Sequence, residues 1–458
     1  MIENDAFKLL LINLFHLNPD DITNIVCTTF NKMMVLLVTL ADKHQACPYC
    51  GFTAPKIKEY VTKEITHSAL TTQKCIIKYR ARRYKCPCCG KTYYEFNPFV
   101  FKSQKISILT VHNILKDLKD FNETFTSVAR RYHVSPTSVS TIFDNHVDIG
   151  RNPLPEIINF DEVYAFKSEK SKYVCVLLDF KKQIPVDVLP NRKKEYLLNY
   201  FQKIPLEERK KVKYACSDMY EVYRDVVHKV FPSCCMLLDY FHLSQDFHRK
   251  MNEVRIKVMK GYKDDKASDE YYLLKKFNWL LFKNPEDEDK HGRLFDVERE
   301  RKYNSHFKSY MNYYDLRKKL LEINNDLTIC YSLKLELVDF YSKSTIDNAQ
   351  VNLEHLIRSC IDTNIEEMIA FSNNLINWKQ EIINSFTIVG TEYKVEADKG
   401  QVVVCNKKVN NAIIENRNKI IKCIKNNANG YTNWSRFRNR VMYVLDPNTT
   451  FSLEPREK

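Results

Sequence analysis

The chain has 458 residues, 44% of them apolar and 12% aromatic, which excludes wholesale disorder and provides for about three domains at roughly 100 to 200 residues each. A formal charge of +14 suits a polyanionic partner, because each phosphate contact by Lys or Arg releases condensed counterions. Fifteen cysteines form an odd set with adjacent pairs and follow no secretory signal pattern, which argues against a secreted disulfide framework and for a reducing cytosol; the longest apolar runs, Leu9 to Phe15 and Met33 to Leu40, fall well short of the roughly 20 residues of a membrane span.

Residues 1–31 read as a short amphipathic lead-in without an assignable role. Residues 32–100 form a strand-rich segment with two knuckles, Cys47-Pro-Tyr-Cys50-Gly and Cys86-Pro-Cys88-Cys89-Gly. Four thiolates at this spacing can close a tetrahedral Zn²⁺ site, and each glycine permits the tight turn that follows. The expected ligands are Cys47, Cys50, Cys86 and Cys89, since Cys88 lacks the spacing; buried, unligated cysteines are the alternative. Between the knuckles the alternation from Cys75 to Arg82 puts Lys78, Arg80 and Arg82 on one strand face. That face could track phosphates, or serve only as a solvated edge.

Residues 101–150 turn helical. Ser127 to Tyr132 reads as a short helix, His133-Val134-Ser135 as a turn and Pro136 to His146 as a second helix, with Ser135 as N-cap and Pro136 in the first turn. Val128, Val134, Val139 and Ile142 would pack the pair. Thr137, Ser138 and Thr141 would then stay exposed where a recognition helix meets base edges.

Beyond the linker Arg151-Asn-Pro-Leu-Pro155, apolar and β-branched runs predict strands at Ile157 to Phe166, Tyr173 to Phe180, Ile184 to Leu189, Val212 to Cys216 and Cys234 to Leu238. Helices are predicted near Lys194 to Gln202 and at Glu221 to Val230. The order βββαβαβ predicts a ribonuclease-H-like core over 151–262. From about Lys263 to Gly400 the strand signal vanishes, which predicts an all-helical insertion over 263–400. The core resumes over 401–445 with a helix from about Val409 to Lys425, and 446–458 form a tail.

Phosphodiester chemistry of the two-metal kind needs acidic ligands that hold cations roughly 3.5 to 4 Å apart, and oxygen donors suit Mg²⁺ or Mn²⁺. Asp161 sits within a strand amid apolar neighbours, a costly place for an acid without a partner. Asp218 follows the fourth strand, which in such a core lies beside the first. Glu415 shares a polar helix face with Asn411, Asn418, Lys422 and Lys425, where it could complete the site while the lysines hold DNA; it could equally be an ordinary surface glutamate. Asp239 and His242 are expected to support the metal ligands or contact DNA rather than bind metal. Glu162 should point to the opposite face, and Asp179 should initiate the turn after the second strand.

The paired knuckles, Phe160-Asp161-Glu162, Ser217-Asp218-Met219-Tyr220, Asp239-Tyr-Phe-His242 and the stretch Ile414 to Lys422 followed by Gly430-Tyr431 together resemble the ISL-three family of insertion-sequence transposases over nearly the whole chain. The resemblance implies a multidomain α/β protein: a zinc-binding segment, a helix-turn-helix, and a DDE core interrupted by an insertion. It places the catalytic acids on Asp161, Asp218 and Glu415, with two Mg²⁺ or Mn²⁺ ions and one structural Zn²⁺. It implies double-stranded DNA as partner, at terminal inverted repeats and at the target, and a homodimer or larger oligomer. The family often has glycine after its glutamate, where this chain has Asn416. A non-catalytic DNA-binding regulator and a nuclease without strand transfer remain the alternatives.

Overall fold

The computed structural model describes residues 2–43, 46–101, 104–166, 172–395 and 402–456. The first sheet runs β1 (Ile22–Phe30), β2 (Met33–Leu40), β4 (Cys75–Lys85), β3 (Lys56–Thr66), with β5 (Thr92–Tyr94) also on β4. Asn31 and Lys32, both at positive φ, turn β1 into β2, as a two-residue hairpin requires. Helix α1 (Ile2–Leu14) buries Leu11 and Ile12 against Ile22, Ile25, Leu36 and Ile77. The segment predicted as a lead-in therefore supplies a helix and an edge strand to the same sheet that carries the cysteines.

Three helices follow: α2 (Ile108–Asp117), α3 (Phe125–Arg131) and α4 (Pro136–His146). Ser135 Oγ accepts from Ser138 N at 3.0 Å and Pro136 opens the helix, the start chemistry read from the sequence. Val128 and Val139 are fully buried between α3 and α4, Ile142 nearly so, and Val134 packs at the margin.

The central sheet contains β6 (Ile157–Val163), β7 (Val174–Asp179), β8 (Pro185–Leu189), β9 (Tyr214–Ser217) and β10 (Cys235–Leu238), in the order β10-β9-β6-β7-β8. β6, β7 and β8 are antiparallel neighbours, while β9 is parallel to both β6 and β10. Asp179 Oδ1 accepts from Lys181 N and Lys182 N at 2.9 and 3.0 Å, forming the Asx-type turn expected there. Helices α5 (Lys194–Gln202) and α7 (Glu221–Val230) cover one face, with the short α6 (Leu206–Arg209) between them in the chain. The other face carries α15 (Ala412–Asn427), α16 (Trp434–Leu445) and, in the same continuous core, α2, α3 and α4.

A separate apolar core joins α8 (Tyr240–Lys260), α9 (Asp269–Lys276), α10 (Tyr313–Glu322), α11 (Asn325–Lys343), α12 (Ala349–Asp362), α13 (Glu366–Asn377) and α14 (Lys379–Asn384). This helical body begins at Tyr240, well before Lys263. Strands also persist inside the stretch predicted as purely helical. Two small hairpins, β11 (Glu288–Asp289) with β12 (Gly292–Arg293) and β13 (Lys302–Asn304) with β14 (Ser309–Met311), are followed by the longer pair β15 (Ile388–Val395) and β16 (Val402–Lys408). The hairpins lack the apolar alternation that marks a half-buried strand, which is why periodicity passes over them.

Candidate functional site

Register brings three aspartates into one row. Asn159 of β6 pairs with Cys216 of β9, and Cys216 pairs with Leu237 of β10. Two residues further along these parallel strands stand Asp161, Asp218 and Asp239. A two-residue step restores the same face of a strand, and the C-terminal ends of parallel strands are where α/β sheets present their chemistry. Asp218 is central, with Asp161 and Asp239 on either side; the sequence had placed Asp239 one strand further out than Asp161.

Helix α15 closes over this row. Asn411, fully buried at its N-terminus, accepts from Asn159 Nδ2 at 2.7 Å and donates through its own Nδ2 to Phe160 O at 3.3 Å. One turn on, Glu415 Oε1 lies 3.9 Å from His242 Nε2, which is 3.8 Å from Asp239 Oδ2. Another turn on, Asn418 Nδ2 donates to Asp161 Oδ2 at 2.7 Å. The N-terminal half of the polar face is thus turned inward, with Asn411 and Asn418 buried and Glu415 half-buried, while Lys422 further along is exposed. Asn159 went unflagged in the sequence, although a fully buried amide in an apolar strand is itself a signal.

Burial pushes the Asp161 carboxyl up to about 7, with the Asp218 charge adding to it and the Glu162 N–H opposing. Burial likewise lifts Asp218 to about 6, reinforced by Glu162 and opposed by His242. Asp239 is raised by burial, while His242 and the Asn411 backbone N–H pull it back. Crowded carboxylates that resist ionising favour a cation among them. Asp218 Oδ1, Asp239 Oδ2, His242 Nε2 and Asn418 Oδ1 are buried with no hydrogen-bond partner, whereas buried polar atoms are ordinarily paired. Asp239, His242 and Glu415 also offer ligand atoms within 4.8 Å of one another. The donor set therefore fits divalent cations, and it includes the two residues expected only to support the ligands. Glu162 is held by Arg192 and by the Tyr223 hydroxyl at 3.3 Å, yet it stays near enough for its charge to raise Asp218.

The other flagged residues divide. Thr137 and Thr141 are exposed on α4 and Ser138 is half-buried. Lys422 is exposed, and Lys425 Nζ lies 5.1 Å from the centre of the Tyr164 ring. On β4, which is an interior strand and no edge, Arg80 lies over Tyr60 and Lys78 pairs with Glu64 at 2.8 Å. Arg82 is spent internally: it pairs with Glu95 at 2.7 Å and donates to the carbonyls of Leu40 and Ala41. Its expected place on a free basic face is corrected by those partners.

The two knuckles are near copies. Gly51 N bonds Cys47 O and Gly90 N bonds Cys86 O, both at 2.9 Å, with the glycines at φ 74° and 72°. Cys47 Sγ lies 3.7 Å from Cys89 Sγ, and Cys50 Sγ lies 3.5 Å from Cys86 Sγ. A tetrahedron with metal–sulfur arms of about 2.3 Å has edges of about 3.8 Å. All four sulfurs fall within 4.8 Å of one another, so the cluster could hold a metal ion. The Cys89 backbone N–H, above all, holds the Cys86 thiol down at about 7, while Cys50 is pushed up to about 12 and Cys89 is raised as well, so the sulfurs share one thiolate among them and further ionisation calls for a cation.

The family model for DDE transposases of the ISL-three type, described as transposase, matches residues 158–397, just over half of the chain. The transposase for insertion sequence element IS1001 of Bordetella parapertussis is 19% identical over 409 residues, covering 89% of this chain and 90% of that protein.

Proposed function

The chain belongs to the ISL-three family of transposases, and on that premise we propose that it cleaves DNA at terminal inverted repeats and joins the freed end to target DNA. The observation that carries this reading is the row Asp161, Asp218 and Asp239 closed by Glu415 and His242, with its unpaired buried oxygen and nitrogen atoms. The strand order β10-β9-β6-β7-β8, three antiparallel strands then two parallel ones, supports a ribonuclease-H-like core, with the helical body from α8 to α14 as its insertion. Asp161, Asp218 and Glu415 are the proposed principal ligands of two Mg²⁺ or Mn²⁺ ions, which when bound would supply nucleophile activation and charge neutralisation. Asp239 and His242 join them, and Asn418 holds Asp161 in place.

In the first step a water oxygen bonds to phosphorus and the 3′ oxygen leaves with a proton. In the second that 3′-hydroxyl oxygen bonds to a target phosphorus and the target strand's 3′ oxygen leaves with the proton, one phosphodiester replacing another without an external energy source. The knuckles with a structural zinc ion, α4 with Thr137, Ser138 and Thr141, and Lys422 and Lys425 supply DNA contacts. Pairing two element ends calls for at least a dimer, acting on DNA in the bacterial cytosol. Among the described residues no helix is long and apolar enough to cross a membrane.

Asp161→Asn should abolish Mg²⁺-dependent nicking of inverted-repeat DNA while leaving binding intact, and retained nicking overturns the assignment. Nicking without any joined product would instead identify a nuclease, and binding without nicking by the unaltered chain a regulator.

A further inference from the structure

A second recess lies beside the cysteine knuckles. It measures about 970 Å³ and is walled by Tyr49, Tyr93, Tyr94, Phe96 and Phe101, with Lys63 at its side. Tyr49 is 57% and Tyr94 41% exposed, and they share the recess with the exposed Phe96, a cluster of rings rather than scattered single ones. Cations lie over both rings: Lys91 Nζ stands 4.6 Å from the centre of Tyr49, and Lys63 Nζ and the Arg83 guanidinium stand 4.1 and 5.6 Å from that of Tyr94. The carboxylate in the wall, Glu95, is almost wholly buried and neutralised by Arg82. Among the described residues neither Lys63 nor Lys91 has a carboxylate within ion-pair distance.

We propose that this recess takes unpaired bases of a DNA strand, stacked on Tyr49 and Tyr94, with Lys63 and Lys91 moving from the ring faces to the flanking phosphates. The proposal rests on the DNA-transacting reading above. Exposed aromatic faces interleaved with cations are the chemistry of single-strand recognition, because every base has a π-face and every link a charge. A duplex keeps its base faces stacked inside and offers a recess nothing but its backbone, which a flat basic surface meets as well. Lysine over tyrosine is a cation–π contact that a base can replace, and the released ammonium gains a phosphate in exchange. The volume lies at the upper end of the roughly 300 to 1,000 Å³ of small-molecule pockets, which is room for a nucleotide rather than a helix. An element end that opens during strand exchange would present such bases.

The test uses the full chain, loaded with zinc, and fluorescence anisotropy with two probes: a single-stranded thymidine 12-mer and a random duplex of equal length. Tyr49→Ala with Tyr94→Ala should weaken single-strand binding by about tenfold or more, and duplex binding, which also draws on α4, Lys422 and Lys425, by a clearly smaller factor. Tyr49→Phe with Tyr94→Phe should bind as the unaltered chain does, since the ring faces remain; unchanged zinc content and melting temperature show that each variant is folded. Single-strand affinity unmoved by the alanine changes overturns the proposal, as does an equal loss on both probes or a loss as large with phenylalanine. Duplex binding without single-strand binding by the unaltered chain sinks this inference alone. Binding of neither probe sinks the DNA-transacting reading with it.

Discussion

Asn418 on α15 donates its side-chain N–H to Asp161 Oδ2 on β6 at 2.7 Å, across 257 positions of chain. Asp161 Oδ1 is meanwhile occupied by the Glu162 N–H at 2.7 Å. The carboxylate is therefore fixed in rotation by one local and one distant donor. Outer partners of metal ligands ordinarily cost about 10- to 100-fold in metal affinity or activity when removed. Asn418→Ala should accordingly raise the Mg²⁺ concentration needed for half-maximal nicking by about that factor. Asn418→Asp should be worse, since it places a like charge against an acid that burial already keeps from ionising. Titrating nicking against Mg²⁺ checks both, and identical curves would show that the amide does not position Asp161.

The cysteine cluster makes a second demand. Sulfurs 3.5 and 3.7 Å apart are as far apart as a tetrahedral zinc site holds them, and without an ion their thiolates would repel. Metal-site free energy in such modules is folding free energy. Metal analysis of the purified chain should find one zinc per molecule, and Cys47→Ser or a strong chelator should remove it together with the low-temperature stability of the β3–β4–β5 region, read as loss of amide-exchange protection. Protection unchanged after chelation would mark the thiols as packing residues.

His67 predicts an acid sensitivity. Its Nε2 lies 2.8 Å from Phe15 O and its Nδ1 2.9 Å from Ser107 Oγ, so the neutral ring donates to the end of α1 and accepts from the cap of α2. Burial, partly opposed by the Phe15 contact, lowers its pKa below the usual 6.5. The unfolded chain then takes up a proton at a higher pH than the folded one. Stability from this group is fully present above about pH 6.5 and is lost as pH falls through the folded value, at a slope of at most about 1.4 kcal/mol per pH unit. His146, also lowered by burial, acts with the same sign. Urea midpoints measured from pH 7 to pH 5 should fall less steeply for His67→Gln than for the unaltered chain; parallel slopes would exclude the effect.

The elements read most easily from the sequence were those whose local signal and tertiary place agree. β6, β7 and β8 are β-branched runs buried on both faces, and Ser135-Pro136 starts a helix wherever it stands. β1 escaped because its sequence, ITNIVCTTF, is half polar and only Ile22 and Ile25 are buried. The limits at the candidate site were tertiary. That Asp239 stands level with Asp161 and Asp218 depends on the β9–β10 register, two steps removed from any local pattern. Arg82 looked like its neighbours until Glu95, 13 residues on, proved to hold it. Asn411 and Asn418 were placed on the polar face of their helix correctly, but only packing could show that their half of it looks inward.

The helices proposed to meet DNA, α3 and α4, are packed onto the core rather than joined to it by the chain alone. Arg440 of α16, 1% exposed, donates from Nη2 to Asp120 O at 2.9 Å and Glu123 O at 2.7 Å, the loop joining α2 to α3. Arg436 reinforces it from the same helix through Asp144 of α4, and Phe143, Tyr443 and Phe437 share one apolar core with β7. Burial pulls the Arg440 pKa down, yet two carbonyls and surrounding rings hold the guanidinium in place. Arg440→Met keeps most of the volume but takes the donor from Glu123 O, while Asp120 O keeps the Glu123 N–H at 3.2 Å; one unsatisfied carbonyl costs about 1–3 kcal/mol. The urea midpoint should fall accordingly. If the fixed geometry between α4 and the aspartate row sets where the strand is cut, the same variant should still bind inverted-repeat duplex but cut it at scattered positions, because Thr137 and Thr141 would no longer stand at a constant distance from Asp161. A single unchanged cut site at reduced stability would mean that the apolar core alone fixes the register.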